Sequence, residues 1–430
     1  MTELGTETIT DIDLASVRKR TRWVLIGSVF PAGMGMTATF AATSLAAKEI
    51  TANDGLASLA ATMTAIGGAI AAVPLGRYMN EHGRRAGLTR AWLIGATGAA
   101  IAFAGVLGEL YILLVIGGIG VGMGQAASLA ARYSAADLAP QDRKASEIGI
   151  VMWAGSIGSV LGPTVALGGT GWIAANLLGL DELAGPYLMG ILVFIAAAMI
   201  VNTFLRPDPL QVAKRLGNAT ETKRPTLMES FKKLFTNRLA TIAVFATAVG
   251  QAVMVSVMTV TPLHMDDGAH EKTVIGLVIS LHVVGMYFFA PVVGWLVDRV
   301  RTELMVAAAG LILFTGAEVA SRTDSEDSLG VFVGLFLVGL GWSFSMIAGS
   351  ALLSSVFPVD ERAPIQGAAD FTMITFGATG GILGGIIAEA TDYRTLSHYA
   401  AVLALSLIAA ALYPAVANAR GPKKPQPASA

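Results

Sequence analysis

Four side chains in the second half of the sequence have the types and spacing to bind a soft metal ion. Met254 and Met258 are four residues apart in MVSVM, and His282 and Met286 are four residues apart in LHVVGM. This spacing places both members of each pair on one face of an α-helix. Thioether sulfur selects Cu(I) among biological metals, and imidazole also binds copper. The two pairs therefore predict a copper site formed by two neighbouring helices.

Other roles for these residues stay open on the sequence alone. Methionine fills irregular gaps in packed interiors, and a buried histidine can instead hydrogen bond to a neighbouring helix. His264 and Met265 lie in the connection between the two helices, and we predict that they stand at the mouth of the site. The connection could instead form a hard-metal or Cu(II) cluster, or it could simply be a solvated loop. The residues of that cluster would be His264, Asp266, Asp267, His270 and Glu271.

Asp370 is a carboxylate inside a long apolar segment. Ionisable groups are expensive in hydrocarbon, so they are candidates for function by default. We expect Asp370 to bind and release a proton, and the alternative is a structural hydrogen bond to a neighbouring helix. Other polar residues predicted inside the apolar segments or near their ends are Gln125, Glu147, Gln251, His282 and Glu318.

The elements that position these residues are membrane helices. The chain is 54% hydrophobic and 14% charged, whereas soluble proteins carry about 25% charged residues. Apolar runs of about 20 residues recur along the chain, and we predict an all-α membrane protein with twelve transmembrane helices. The absence of cysteine excludes thiolate metal sites and cysteine nucleophiles, and a net charge of −1 gives no support for nucleic-acid binding.

The predicted helices form two six-helix bundles, and the basic residues orient them. If both termini lie on one side, 25 of the 29 basic residues fall on that side, all but Lys48, Lys272, Arg322 and Arg394. Positive residues accumulate on cytoplasmic loops, so we predict cytoplasmic termini in a bacterial inner membrane. The predicted parts are a tail 1–21, a first bundle 22–205, a central loop 206–238, a second bundle 239–418 and a tail 419–430.

Two loop sequences recur at the same point of each bundle. GRYMNEHGRR begins at Gly76 and GWLVDRVR begins at Gly294, and in both an Asn or Asp follows four residues after the glycine. Two bundles in parallel repeat are a transporter layout, with the substrate path between the halves. We predict that charged residues of these loops form a gate on the cytoplasmic side, namely Arg77, Arg84, Arg85, Asp298 and Arg299.

The first loop resembles the signature of the major facilitator superfamily, in which an acid usually stands where this chain has Asn80. The segment GSIGSVLGPTVALGG is similar to the glycine–proline motif of that superfamily's proton antiporters. We expect its Gly158, Gly162 and Pro163 to permit close helix packing and bending. The antiporters usually carry an intramembrane arginine in span 4, and none is present in GGIGVGMGQ, residues 117–125. The two Met/His pairs resemble those of the CcoA-type copper importers within the superfamily.

The resemblance implies the major facilitator fold and secondary active transport by alternating access, with copper as transported substrate at the two Met/His pairs and no resident cofactor. Proton-coupled export of amphipathic organic compounds is one alternative, supported by the glycine–proline motif and Asp370. Uptake of an organic nutrient such as riboflavin is another, with Trp342 and Phe371 to stack on a flat ring. No nucleotide-binding glycine loop or other enzyme motif is present. We expect a monomer in the bilayer whose partner is a small molecule or metal ion.

Overall fold

A computed structural model describes residues 13–217 and 226–419, and helices account for nearly all of them. The first half contains α1 (Leu14–Thr51), α2 (Asp54–Leu107), α3 (Tyr111–Ala136), α4 (Lys144–Val165), α5 (Trp172–Leu177) and α6 (Gly185–Phe204). The connecting segment contains α7 (Pro209–Leu216) and α8 (Leu227–Thr236). The second half contains α9 (Arg238–Asp267), α10 (Lys272–Tyr287), α11 (Ala290–Arg299), α12 (Thr302–Arg322), α13 (Ser328–Val356), α14 (Val359–Ala390) and α15 (Tyr393–Ala419). The described residues include no strand, so the predicted all-α class is confirmed.

Helix α2 crosses the membrane twice. Its 54 residues would extend about 80 Å at 1.5 Å per residue, more than twice the roughly 30 Å of a hydrocarbon layer. The chain is non-helical at Gly83, and α3 packs closely against α2 on both sides of this kink, at Gly67 and at Gly98. Of the described helices, eleven are long and apolar enough to span a membrane. Counting α2 as two passes gives the predicted twelve.

Glycine is required at the kink in α2 for two reasons. Gly83 has φ 89° and ψ 168°, in the region that only glycine enters without strain. A Cβ atom at this position would also collide with the carboxylate of Asp208, which accepts a 2.7 Å hydrogen bond from the backbone N–H of Arg85. The turn between the second and third passes is therefore fixed to the start of α7.

The first helix and the connecting segment differ from the sequence prediction. Helix α1 begins at Leu14 rather than residue 22, because the Asp13 carboxylate caps the free N–H groups of Ala15 and Ser16. The connecting segment is not a plain loop, because Asp208 caps α7 and a capping box of Thr226 and Glu229 starts α8. We call the side of the bundle that carries α7 and α8 the linker face.

The two halves of the bundle approach each other most closely near the linker face. Helices α2 and α14 touch where a Cβ at Gly76 would collide with the carbonyl oxygen of Ala363. Helices α4 and α11 touch in the same way, because a Cβ at Gly294 would collide with the carbonyl oxygen of Ala145. These glycines occupy equivalent places in the two repeated loops, so the halves seal this face through a pair of symmetry-related contacts.

Two glycines of the glycine–proline motif lie against α1. A Cβ at Gly158 would collide with the carbonyl oxygen of Phe30, and one at Gly162 would lie 2.6 Å from the carbonyl oxygen of Met34. The side chain of Pro163 lies outside the described residues. The motif is followed by a π-helical segment, Ala166–Gly171, before α5 begins. The absence of side chains at both glycines allows the backbones of α1 and α4 to approach closely.

Candidate functional site

A buried ion pair joins the two halves in the interior of the bundle. Nη2 of Arg132 in α3 lies 2.5 Å from Oδ1 of Asp370 in α14, and the two side chains are 2% and 7% exposed. Arg132 also donates through Nε to Oγ of Ser350 at 3.0 Å and through Nη1 to the carbonyl oxygen of Leu129 at 2.6 Å. The charge on Arg132 is therefore balanced by a carboxylate and a hydroxyl of the other half.

Tyr133 completes this polar cluster. Its hydroxyl accepts a 3.2 Å hydrogen bond from Nη2 of Arg132 and donates to Oδ1 of Asp370 at 3.4 Å. The guanidinium of Arg132 also lies over the Tyr133 ring, 4.4 Å from its centroid. Such a network is stable in low dielectric only while its charges remain paired. Motion that separated α3 from α14 would break it.

An aromatic and amide wall lies in the second half. The indole Nε1 of Trp342 donates a 2.6 Å hydrogen bond to Oε1 of Gln251, and the Tyr287 ring meets Trp342 edge to face at 5.4 Å. Gln251 packs against the backbone of α14, where a Cβ at Gly377 would lie 2.7 Å from its Cγ. Trp342 and Ser350 lie on one helix, eight residues apart, which corresponds to about 12 Å along its axis. This wall is thus about two turns from the ion pair.

A second set of polar contacts joins the halves at the linker face. Arg84 donates through Nε to Oδ2 of Asp137 at 2.8 Å and through Nη2 to Oε1 of Gln366 in α14 at 2.7 Å. Nearby, Nζ of Lys144 donates to the carbonyl oxygen of Ser354 at 3.1 Å. Arg84 was predicted as a gate residue, and it lies buried across the boundary between the halves.

The repeated loops contribute differently to this face. The Asp298 carboxylate accepts 2.9 Å hydrogen bonds from the backbone N–H groups of Ala145 and Ser146 and a 2.5 Å bond from the Ser146 hydroxyl. Asn80 takes the equivalent place in the first loop, and its Oδ1 is buried without a partner among the described residues.

In the part of the chain that the structure describes, the other predicted gate residues do not bridge the halves through their side chains. Arg77 is exposed at the side of α2, and Arg85 donates its backbone N–H to Asp208. The guanidinium of Arg299 lies over the Trp295 ring.

The predicted copper ligands lie on helices that are joined mainly through α13. Helix α13 packs against both α9 and α10, which make little direct contact with each other. Nδ1 of His282 lies 2.8 Å from the carbonyl oxygen of Leu335 in α13, and its Nε2 is buried without a partner among the described residues. Met254 and Met286 are buried in the apolar core of the second half, and Met258 packs against that core.

The two residues predicted at the mouth of the site are fixed by packing in the second half. The His264 ring stacks on Tyr393 at 4.1 Å, and Met265 is fully buried. Among residues 13–217 and 226–419, no group of three or more His, Asp or Glu side chains has the arrangement of a metal site. Glu147 pairs with Arg22, and Glu318 pairs with Arg322 and His398, so both carboxylates near helix ends have basic partners.

Sequence reasoning missed Arg132. The antiporter arginine was expected within residues 117–125, whereas Arg132 lies seven residues beyond Gln125 on the same helix. Span 4 therefore does contribute an arginine to the interior, although none lies in residues 117–125. The signal that could have found it was a second ionisable residue, of opposite charge to Asp370, inside a predicted span. Phe371 was expected to stack on a flat ring together with Trp342. The structure instead packs Phe371 edge to face on Phe231 of α8.

Comparison with known proteins identifies the family. The family model described as Major Facilitator Superfamily matches residues 25–271 and 254–430. The chain is 33% identical to the uncharacterized MFS-type transporter YdeG of Bacillus subtilis, over 91% of each protein. It is 25% identical to the riboflavin transporter RfnT of Brucella anthropi, over 86% of this chain and 89% of that protein.

A solved structure has the same fold. The outward-facing structure of a bacterial homologue of the iron transporter ferroportin aligns with a TM-score of 0.69 and 14% identity, over 92% of this chain and 99% of that chain. Members of the matched family are transporters and not enzymes. The chain belongs to the major facilitator superfamily of membrane transporters.

Proposed function

We propose that the protein couples the movement of a flat, aromatic organic solute to protons by alternating access. The linker face is cytoplasmic in this proposal, because the basic residues concentrate in the loops and tails on that side. The solute site lies between the halves, beside Trp342 and Gln251. Asp370 is the proton-binding group, and Arg132 is its partner.

The observation that carries this proposal is the Arg132–Asp370 ion pair between the halves. Alternating access requires one half to rock against the other around a central site. Separating an unscreened arginine from a carboxylate in the interior leaves two buried charges without partners, which is strongly unfavourable. Protonation of Asp370 removes one of those charges. The halves can then part at this level, so the protonation state of Asp370 governs the motion.

The composition of the aromatic and amide wall, about two helical turns from the ion pair, supports a flat aromatic cargo. Trp342 and Tyr287 offer ring faces and edges for stacking. Gln251 offers an amide N–H₂ while its oxygen holds the Trp342 indole. Amide groups pair with the carbonyl and imide edges of heterocycles. The name of the relative in Brucella anthropi supports the same class, since that protein transports riboflavin.

Riboflavin counterflow into proteoliposomes tests the cargo. Counterflow measures exchange of labelled for unlabelled solute, so it reports transport whichever direction the protein uses in the cell. We expect exchange by the wild type and about a tenfold lower rate at low riboflavin for Trp342→Ala, since stacking on one aromatic ring contributes about 1–3 kcal/mol. The control is Trp23→Ala, because Trp23 is 60% exposed on the outside of the bundle. No exchange by the wild type would reject riboflavin as cargo, and equal loss in both variants would reject the stacking role.

Copper transport is a second candidate, favoured by one observation. Nε2 of His282 is buried and has no partner among the described residues, and Met286 follows one turn later on the same helix. An imidazole nitrogen held this way is available to a metal ion whose other ligands are thioethers. We expect His282→Ala to abolish accumulation of radioactive copper if this function is present. His82→Ala is the matched control, because His82 is exposed at the linker face. Equal accumulation by wild type and His282→Ala would reject this candidate.

A further inference from the structure

A cavity of about 530 Å³ opens at the side of the bundle, where α2, α8 and α14 meet. Ala69, Ile70 and Val73 of α2 and Phe371 of α14 form its apolar part. Ile70 is 51% exposed and Phe371 is 37% exposed. Both residues lie in membrane-spanning segments, so their exposed surfaces face hydrocarbon. A ligand that enters from this side must itself be dissolved in the membrane.

Arg77 lies at the polar end of the cavity, beside Tyr78. Its guanidinium is exposed and makes no hydrogen bond or ion pair with any residue that the structure describes. Arg90 does not line the cavity, but its guanidinium lies over the Tyr78 ring at 4.3 Å, so a second positive charge is nearby. A guanidinium has five N–H donors in a fork that matches the oxygens of a phosphate. The Glu81 carboxylate also lines this end of the cavity. Arg77 therefore offers N–H donors to a phosphate, and the apolar part favours a hydrocarbon chain.

Helix α8 places this cavity at the membrane surface. Three apolar residues of α8 are exposed, namely Leu227 (45%), Met228 (76%) and Phe235 (53%). The same helix carries the basic residues Lys232 and Lys233. A short helix with exposed apolar residues and basic side chains lies in the plane of the headgroups. Its Phe231 meets Phe371 edge to face at 5.9 Å and lines the cavity. Arg77 is thus at the level where lipid phosphates occur.

We propose that a membrane phospholipid occupies this cavity, with its phosphate on Arg77 and one acyl chain between Ala69 and Phe371. The site bridges the halves, since α2 belongs to the first and α14 to the second. Their backbones meet at Gly76 and Ala363, immediately beside the cavity. The lipid therefore binds the state in which the linker face is closed, and it leaves when α2 and α14 separate.

Native mass spectrometry of the purified full chain tests the phosphate contact. The probes are phosphatidylglycerol, diacylglycerol, which lacks the phosphate, and soluble glycerol 3-phosphate. We expect Arg77→Gln to weaken phosphatidylglycerol binding about tenfold, because it removes a charge-assisted hydrogen bond. Arg143→Gln removes an exposed arginine that neither lines the cavity nor belongs to the predicted gate, and we expect no change.

A second variant tests the apolar part without changing the charge. Ala69→Trp fills the cavity and leaves Arg77 in place, so we expect it to lose the bound lipid while its melting temperature stays near that of the wild type. Three results would overturn the proposal. The first is equal binding of phosphatidylglycerol by Arg77→Gln and the wild type, and the second is equal binding of diacylglycerol and phosphatidylglycerol. The third is displacement of the lipid by glycerol 3-phosphate, which would indicate a site for soluble phosphate.

Discussion

Arg132 and Asp370 lie 2.5 Å apart across the boundary between the halves, and neither side chain is more than 7% exposed. An ion pair at this position has different consequences when one partner is removed and when both are removed. Removing one partner leaves a buried charge, which destabilises a protein by about 3–5 kcal/mol, whereas replacing both by apolar groups is often neutral.

Substitutions at this pair should therefore be strongly non-additive. We expect Arg132→Met and Asp370→Leu each to lower the melting temperature in detergent and the double variant to recover most of the loss. Thermal unfolding of the three variants, monitored by circular dichroism, measures this. Independent, additive losses would mean that the two charges are not coupled in the folded protein.

The two repeated loops should contribute unequally to closure of the linker face. The Asp298 carboxylate caps two free N–H groups at the start of α4. In the other half, the positions that correspond to Ala145 and Ser146 are Ala363 and Pro364. Both lie inside α14 rather than at its start, and proline has no N–H to donate. A carboxylate at residue 80 would find no equivalent donors there.

We expect Asp298→Asn to weaken closure by about 1 kcal/mol, the usual value of a charged group at a helix N-terminus. The native chain has no cysteine, so spin labels at Gln141→Cys and Arg301→Cys report the distance between the halves without background. Asp298→Asn should increase the population with the longer distance, and Asn80→Asp should not increase the closed population. An unchanged distance distribution for Asp298→Asn would contradict the capping role.

The glycine–proline motif should be intolerant of a single methyl group. A Cβ at Gly158 would collide with the Phe30 carbonyl oxygen, whereas a Cβ at Gly27 of α1 has no atom within 4 Å. Overpacking of this kind costs about 1–3 kcal/mol. We expect Gly158→Ala to lower the melting temperature and Gly27→Ala to leave it unchanged. Equal melting temperatures for the two variants would show that α1 and α4 can separate at no cost.

The sequence predicts the number of membrane passes, because each apolar run has the length that a bilayer requires. The number of passes and the two-half repeat follow from those runs and from the two related loops. The sequence did not indicate that α1 begins at Leu14 or that α7 and α8 exist, because those helices are short or polar and start at side-chain caps. Such caps depend on a few hydrogen bonds rather than on hydropathy.

The central site is harder to predict from the sequence. Spacing shows which residues share one face of a helix, but it does not show which neighbouring helix that face meets. The spacing of His282 and Met286 did not indicate that the imidazole meets α13, where Nδ1 of His282 lies 2.8 Å from the carbonyl oxygen of Leu335. Asp370 was identified from its charge alone. Its partner Arg132 is 238 residues away in the chain, and only the folded structure brings the two together.

The coupling role of Asp370 is tested most directly by comparing two transport assays of Asp370→Asn in proteoliposomes. Asparagine keeps the size of the side chain but cannot carry the proton or the charge. With riboflavin as cargo, we expect this variant to retain counterflow exchange and to lose accumulation driven by a pH gradient, whereas the wild type performs both. Accumulation by Asp370→Asn equal to that of the wild type, at the same protein density and pH gradient, would contradict proton coupling through this residue.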